Sequence, residues 1–124
     1  MNVVDSSAWL EYFAGGPNAD YFAKAIEDVG SLVVPSITIY EVFKKVLLEK
    51  GEESALQVAA QMKTGHLVEI EEDLAIDAAR LSVAHKLPMA DSLILATARS
   101  HDAWLWTQDD DFKGLDKVNY RAKK

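Results

Sequence analysis

The sequence predicts an α/β fold, a three-layer α/β/α sandwich in which helices cover both faces of a mainly parallel sheet of four or five strands. Short apolar and β-branched runs alternate along the chain with longer amphipathic stretches, as strands alternate with helices in such folds. The short runs are continuously apolar, which is typical of parallel strands that are buried on both faces. The length of 124 residues suits one domain, residues 1–124, with a single hydrophobic core.

Each element is predicted by its own local pattern. Strands are predicted at residues 2–5, 31–36, 67–70 and 103–107, with a weaker one at residues 118–120. Helices are predicted at about residues 7–13, 19–28, 39–50, 52–63, 73–85 and 88–100, with glycine- or proline-containing breaks between several of them. We expect the first strand at the centre of the sheet, with Asp5 at its carboxyl end.

Composition and charge exclude several classes of protein. Cysteine is absent, so no disulfide, thiolate metal site or cysteine nucleophile is possible, which suits a reducing cytoplasm. The N-terminal MNVVDSS lacks the features of a signal peptide, and no apolar run reaches the roughly 18–20 residues of a membrane span, so we expect a soluble protein with no membrane association. A net charge of −7 opposes binding to nucleic acids unless a basic patch or bound cations reverse the local field.

Several acidic residues stand at the ends of predicted elements, and each has a local structural explanation when it is considered alone. Asp5 follows a strand and precedes a helix, so Asp5, Ser6 or Ser7 is expected to be an N-cap. Glu41 completes 38-TIYE-41, which matches the capping-box pattern. Asp91 lies in the first turn of the helix opened by Pro88, where an acid gains about 0.3–1 kcal/mol from the helix dipole. The run 109-DDD-111 is typical of a solvated loop.

Taken together, these acids predict a cation site. Asp5, Glu41, Asp91 and Asp109 each lie just beyond the carboxyl end of a strand or near the start of a helix, and such ends share one edge of a parallel sheet. Carboxylates that converge there raise one another's pKa and cost stability unless cations neutralise them. Mg²⁺ or Mn²⁺ fits best, since these ions take carboxylate oxygens, and the scattered His66, His85 and His101 do not suggest zinc.

Four segments, in this order and spacing, resemble a PIN-domain ribonuclease of the VapC toxin type over nearly the whole chain. They are 3-VVDSSAWLEYF-13, 35-PSITIYEV-42, 87-LPMADSLILATA-98 and 107-TQDDDF-112. The resemblance implies a PIN-like fold and makes Asp5, Glu41, Asp91 and Asp109 the catalytic, metal-binding acids, with Asp111 as a fifth metal ligand. It gives the Ser7 or Thr107 hydroxyl a role in supporting metal-bound water. It also places Asp110 at a variable position, and Ser92 stands where the family more often has a small apolar residue.

The same resemblance implies a function and partners. It implies a Mg²⁺- or Mn²⁺-dependent endoribonuclease, the toxin of a toxin–antitoxin system, that hydrolyses RNA phosphodiesters. Such toxins are usually homodimers, and a cognate antitoxin occupies the groove near the acids. Candidate contacts to the RNA backbone are the cations Lys44, Lys45, Arg99 and Lys113. Apolar stripes on the first and third helices, expected mostly in the core, could also form an interface; they comprise Trp9, Tyr12, Phe13, Tyr40, Phe43 and Leu47.

Two alternatives remain at this point. A receiver-type signalling domain has a similar length and alternation and also binds Mg²⁺ through acids at strand ends, but it needs an acidic pair after its first strand and a lysine after its fifth. Here Asp5 stands alone, and 67-LVEIEED-73 does not supply the expected phospho-accepting aspartate. The second alternative is an inactive PIN-like binding module that keeps only the fold. The complete set of repelling acids argues against it.

Overall fold

The computed structural model of the protein describes residues 1–124. The strands are β1 (Asn2–Val4), β2 (Leu32–Pro35), β3 (His66–Val68), β4 (Trp104–Thr107) and β5 (Val118–Tyr120). The α-helices are α1 (Ser6–Ala14), α2 (Ala19–Ile26), α3 (Ser36–Lys50), α4 (Glu52–Met62), α5 (Glu72–His85) and α6 (Met89–Ser100). Two 3₁₀ helices cover Val29–Ser31 and Asp110–Phe112. None of the helices combines the length and the hydropathy needed to cross a membrane.

The five strands form one parallel sheet in the order β3-β2-β1-β4-β5, which confirms the predicted fold and the central place of β1. Strands β2 and β3 are added in turn on one side of β1. Helices α5 and α6 then bring the chain back, and β4 and β5 are added on the other side of β1. The strand order therefore reverses between β1 and β4, and this switch point is where such sheets bind their ligands. A receiver domain has the order 2-1-3-4-5, so the receiver alternative is wrong.

Alternate residues of the central strands face opposite layers of helices. On one face, Val4, Leu32 and Val34 pack in a cluster with residues of α1, α2, α3 and α4. On the other face, the fully or almost fully buried Val3, Val33 and Leu105 pack against α6. A third cluster joins α6 to α5. The two layers of helices bury the sheet on both faces, and this confirms the three-layer sandwich.

The start of α3 differs from the prediction. The capping box 38-TIYE-41 placed the helix start near Ile39, but α3 begins at Ser36, with Pro35 as its N-cap. Thr38 lies inside the first turn, where its hydroxyl donates a hydrogen bond to the Pro35 carbonyl at 2.7 Å. The helix starts directly after β2 because proline ends the strand and the chain needs no side-chain cap there. Glu41 is therefore left free of any capping role.

Gly65, the residue before β3, is required by close packing against β2. A Cβ atom at this position would lie 2.9 Å from Cγ2 of Val34 and 3.0 Å from the backbone oxygen of Leu32. Because a backbone atom of the central layer cannot move aside easily, any side chain here must push β3 away from β2. By contrast, a Cβ atom at Gly30 would meet open space.

We predict that Gly65→Ala lowers the free energy of unfolding by about 1–3 kcal/mol, as overpacking in a well-packed site does. Gly30→Ala is the matched control and should change it by less than about 0.5 kcal/mol. Urea unfolding of both variants and wild type measures the difference. Equal stability of the two variants would contradict the close approach of β3 to β2.

Candidate active site

The acids converge where β1 and β4 lie side by side. Asp5 directly follows β1, and its backbone N–H donates to the Trp106 carbonyl of β4 at 3.0 Å. Asp109 lies two residues beyond β4, and Asp91 comes from the first turn of α6. Carboxylate oxygens of Asp91, Asp109 and Asp111 all lie within 4.8 Å of one another. The structure therefore brings these acids together at the switch point of the sheet.

Asp5 is a helix cap that lies beside this group of three carboxylates, since its charge acts on Asp91. It is only 2 % exposed. Its Oδ1 accepts hydrogen bonds from the Ser7 hydroxyl at 2.8 Å and from the Ala8 N–H at 3.1 Å, which caps α1. The Thr107 hydroxyl also bonds its carboxylate. The predicted cap is confirmed, and it fixes the orientation of a buried acid at the cluster.

The Thr107 side chain also shapes the loop that carries the three consecutive aspartates. Its Oγ1 accepts a hydrogen bond from the Asp109 N–H at 2.9 Å, and Asp109 Oδ1 in turn accepts from the Asp111 N–H at 2.9 Å. These contacts leave Asp109 and Asp111 beside Asp91. Asp110 lies apart from that group and accepts a hydrogen bond from the Tyr120 hydroxyl. In the structure the Ser7 and Thr107 hydroxyls bond Asp5, and their support of a metal-bound water stays a prediction.

Two of these carboxyls hold their protons unusually well. Burial, opposed by hydrogen bonds from Ser7, Ala8 and Thr107 and assisted by the charge of Asp109, raises the pKa of Asp5 from 3.8 to about 7. Burial, a hydrogen bond with Asp111 and the charges of Asp109, Asp111 and Asp5 raise the pKa of Asp91 to about 8. Near neutral pH the cluster therefore carries fewer charges than its number of acids suggests.

Glu41 stands slightly apart from the other acids. It is half-buried on α3, and its Oε1 accepts a hydrogen bond from the Ser6 hydroxyl at 2.6 Å. It does not belong to the group of three carboxylates that lie within 4.8 Å of one another. Because Ser6 follows Asp5 in the chain, this hydrogen bond ties Glu41 to the start of α1, next to the cluster. Ser6 was considered only as a possible cap in the sequence, since nothing local connects it to residue 41.

The chemistry of the cluster suits a hard divalent cation. Its donors are all carboxylate oxygens, which Mg²⁺ and Mn²⁺ prefer, and neither cysteine nor histidine is among them. A cation would also remove the charge repulsion that raises the pKa of Asp91. The residues present therefore fit such an ion.

A cavity of about 460 Å³ adjoins the acids and is basic on balance, with two lysines against one glutamate. Its lining residues are Ser7, Leu10, Glu11, Lys45, Gln108 and Lys123. Lys45 was predicted at the rim, but Lys123 was not. The tail that carries Lys123 is fixed by the buried Asn18, whose Nδ2 donates to the Ala122 carbonyl at 2.9 Å and to the Gln108 side chain at 3.1 Å. The only signal of this in the sequence was the basic ending 120-YRAKK-124.

The other predicted rim cations are placed differently. Lys44 lies over the ring of Tyr40 at 5.9 Å, and Lys113 lies over Tyr120 at 5.7 Å. Arg99 is in the last turn of α6, whereas Asp91 is in the first turn. Arg99 is therefore separated from the acids by most of the length of that helix, and it does not lie at the rim of the site.

Comparison with known proteins agrees with this arrangement. The sequence profile of the PIN domain matches residues 3–118, a range that contains all five predicted site acids. The chain belongs to the PIN domain family. A search of curated protein sequences gives no significant match.

Solved structures share the PIN fold at low sequence identity. A toxin–antitoxin complex from Klebsiella pneumoniae is 24 % identical, with 96 % of each chain covered and a TM-score of 0.80. VapC20 of Mycobacterium tuberculosis, a toxin that cleaves the sarcin–ricin loop, is 17 % identical over 95 % of this chain and 97 % of its own, with a TM-score of 0.78. VapBC2 of Rickettsia felis, bound to promoter DNA, is 12 % identical over 98 % of this chain and 97 % of its own, with a TM-score of 0.73.

We predict that the metal-free protein loses stability as the pH rises. The folded pKa values of about 7 for Asp5 and about 8 for Asp91 lie above the ordinary 3.8, so the folded state binds more protons than the unfolded state between these values. The two carboxyls contribute fully to the free energy of unfolding below about pH 4, and this contribution is lost as the pH rises through 7 and 8. The free energy of unfolding in EDTA should fall by an amount on the order of 3 kcal/mol between pH 5 and 8.5.

Asp91→Asn is the control for this pH dependence because it removes one titrating group and keeps the shape. Urea unfolding from pH 5 to 8.5 should give a shallower decline for the variant than for wild type. Identical slopes would mean that Asp91 does not retain its proton in the folded protein.

Proposed function

We propose that the chain is a Mg²⁺- or Mn²⁺-dependent endoribonuclease of the VapC type, the toxin of a toxin–antitoxin system. The observation that carries the proposal is the convergence of Asp5, Asp91, Asp109 and Asp111 at the switch point of a parallel sheet. Holding repelling carboxylates together costs stability, and a binding module without chemistry has no use for that arrangement. An acid-only cluster in a PIN domain supports metal-assisted hydrolysis of a phosphodiester.

Asp91, Asp109 and Asp111 are the residues that would hold the ion, with Asp5 completing the site from the end of β1. A bound Mg²⁺ or Mn²⁺ supplies Lewis acidity, which activates water and stabilises negative charge on a phosphate. No residue of the chain needs to form a covalent bond with the substrate. The cation would also reverse the local field of an acidic protein, so that a phosphate backbone can approach.

The residues around the acids keep them in position. Ser7, Thr107 and the Ala8 N–H fix the carboxylate of Asp5, and Thr107 also fixes the loop through the Asp109 N–H. Ser6 orients Glu41 from the neighbouring helix. We assign Glu41 to the catalytic set as an outer carboxylate, which faces the site from α3. Such fixed hydrogen bonds keep ligands in place without reorganisation when substrate binds.

The substrate path follows the basic cavity beside the acids. Lys45 and Lys123 line its wall together with Ser7, which bonds Asp5. Two ammonium groups near a carboxylate-held ion suit consecutive phosphates of a single-stranded RNA. The choice of RNA rests on the VapC type of the fold, since VapC20, which shares it, is a toxin that cleaves the sarcin–ricin loop.

The proposed partners are a cognate antitoxin and a second copy of the chain. The Klebsiella and Rickettsia structures are of a toxin–antitoxin complex and of VapBC2, and they share this fold. Helices α3 and α4 leave large apolar side chains exposed on the surface, and such side chains mark candidate interfaces. They are Tyr40, Leu47, Leu48 and Leu56. Trp9 of the predicted apolar stripe is buried in the core instead. A toxin of this type would act on RNA in the cytoplasm.

We predict that Asp5→Asn and Asp91→Asn each lower RNA cleavage by about two orders of magnitude or more, because each removes one negative group from the proposed metal site. Asn retains the shape and can still cap α1 at position 5. Metal-free stability should stay unchanged or rise slightly, while the gain in melting temperature from Mn²⁺ shrinks. Cleavage assays and melting curves with and without Mn²⁺ measure both effects.

Asp110→Asn is the matched control, since Asp110 lies in the same loop but bonds Tyr120 instead of joining the cluster. It should cleave RNA almost as wild type does. Full cleavage by Asp5→Asn would end the proposed mechanism. Metal binding by wild type without any cleavage of RNA would favour the inactive PIN-like module.

We predict that Lys45→Ala and Lys123→Ala each weaken RNA binding several-fold. Each should also reduce the slope of log K against log salt concentration by about 1, because one phosphate contact is lost. The neighbours Lys44 and Lys124 are matched controls, because they carry the same charge in the same segments and do not line the cavity. Fluorescence anisotropy on the Asp91→Asn background measures binding without cleavage. If all four substitutions weaken binding equally, only net charge matters and the cavity is not the substrate path.

A further inference from the structure

A second cavity, of about 500 Å³, lies along the edge strand β3, beside α5 and the end of α6. It is lined by His66, the first residue of β3, and by His101, which follows α6 and precedes β4. Both histidines therefore stand at the amino ends of strands, whereas Asp5 and Asp109 stand at the carboxyl ends. This cavity is separate from the proposed nuclease site.

The two imidazoles in this cavity are near enough to serve one metal ion after a small movement. Their ring centroids are 6.0 Å apart, at an angle of 60°. With metal–nitrogen bonds of about 2.0–2.1 Å and a tetrahedral angle, two imidazoles on one Zn²⁺ have centroids about 5 Å apart, so the rings must approach each other by about 1 Å. The pair joins residues that are distant in the sequence, and no local spacing of histidines predicts a zinc site.

His101 is also fixed in the orientation that a metal ligand needs. Its Nδ1 lies 3.0 Å from the Thr97 carbonyl oxygen, which can only accept a hydrogen bond. Nδ1 also lies 3.0 Å from the Ser100 hydroxyl oxygen, and in the tautomer that donates to the carbonyl the lone pair is on Nε2. A histidine that ligates a metal through one nitrogen usually donates from the other to a carbonyl or carboxylate in this way.

The rest of the cavity wall consists of four acids and four uncharged residues. Glu69, Glu71, Asp73 and Asp77 line it, and no lysine or arginine does. Asp77 is exposed and pairs with Arg80 on the outer surface of α5. These carboxylates attract a cation, and rotation of an exposed side chain can supply the oxygen ligand that completes a zinc site of mixed nitrogen and oxygen donors.

We propose that His66 and His101 form a binding site for a divalent transition-metal ion, Zn²⁺ by its donor set, with a carboxylate of the cavity wall as a further ligand. The ion ties the three-residue edge strand β3 to the end of α6 and so stabilises the folded chain by binding it. The site is structural and does not depend on the nuclease function.

Titration of the metal-free chain with Zn²⁺ in the presence of excess Mg²⁺ tests the proposal. Mg²⁺ takes oxygen ligands, so it competes at the acid cluster and leaves the imidazoles free. His66→Gln and His101→Asn remove one nitrogen ligand each, and Asn can still donate to the Thr97 carbonyl. His85→Gln is the matched control, since His85 lies at the end of α5 and does not line the cavity.

We expect wild type and His85→Gln to bind one Zn²⁺ equally and to melt at higher temperature with it. Both cavity variants should bind it at least about tenfold more weakly, because even the loss of a residue that orients a ligand costs about 10–100-fold. Calorimetry and melting curves measure the two effects. Equal Zn²⁺ binding by all four proteins, or Zn²⁺ binding that Asp91→Asn abolishes, would overturn the site.

Discussion

The adjacency of β1 and β4 is the constraint on which the rest of the molecule depends. The Asp5 N–H extends the pairing of β1 with β4 by one bond, and this places a buried carboxyl beside the loop that carries Asp109 and Asp111. That adjacency exists only because α5 and α6 carry the chain back across β2 and β1. The core on both faces therefore stabilises an arrangement that its own acids oppose.

Local structural roles and the proposed chemical roles coincide in this protein. Asp5 caps α1 and lies beside the acid cluster, and Asp91 occupies a helix start at which the helix dipole favours an acid. The Thr107 hydroxyl contacts two of these acids, since it bonds the Asp5 carboxylate and accepts a hydrogen bond from the Asp109 N–H. A cap and a ligand are therefore not competing explanations at these positions. The hydrogen bonds that end one element also orient the acid that follows it.

The features that the sequence predicts well are those set by local patterns. Strand runs and helix starts identify Asp5, Asp91 and the aspartate loop, because each stands at the end of an element whose periodicity is clear. The predicted start of α3 was wrong because the sequence offers two possible starts, a capping-box match and the break at Pro35. In the folded protein the helix begins directly after Pro35. Lys123 and the His66–His101 pair depend on contacts between distant segments, and no short pattern encodes those.

The anchoring of the C-terminal tail has a practical consequence. The Asn18 side chain donates a hydrogen bond to the Ala122 carbonyl, and Lys123, the next residue, lines the cavity beside the acids. Any peptide fused after Lys124 therefore begins at the mouth of that cavity. A polyhistidine tag in that position would bring imidazoles to a cluster whose donors are all carboxylate oxygens, and it would change the ion preference proposed for the site. A tag at the amino end, where Met1 precedes β1, keeps its imidazoles away from the acids but places them on the side of the sheet that carries His66 and His101.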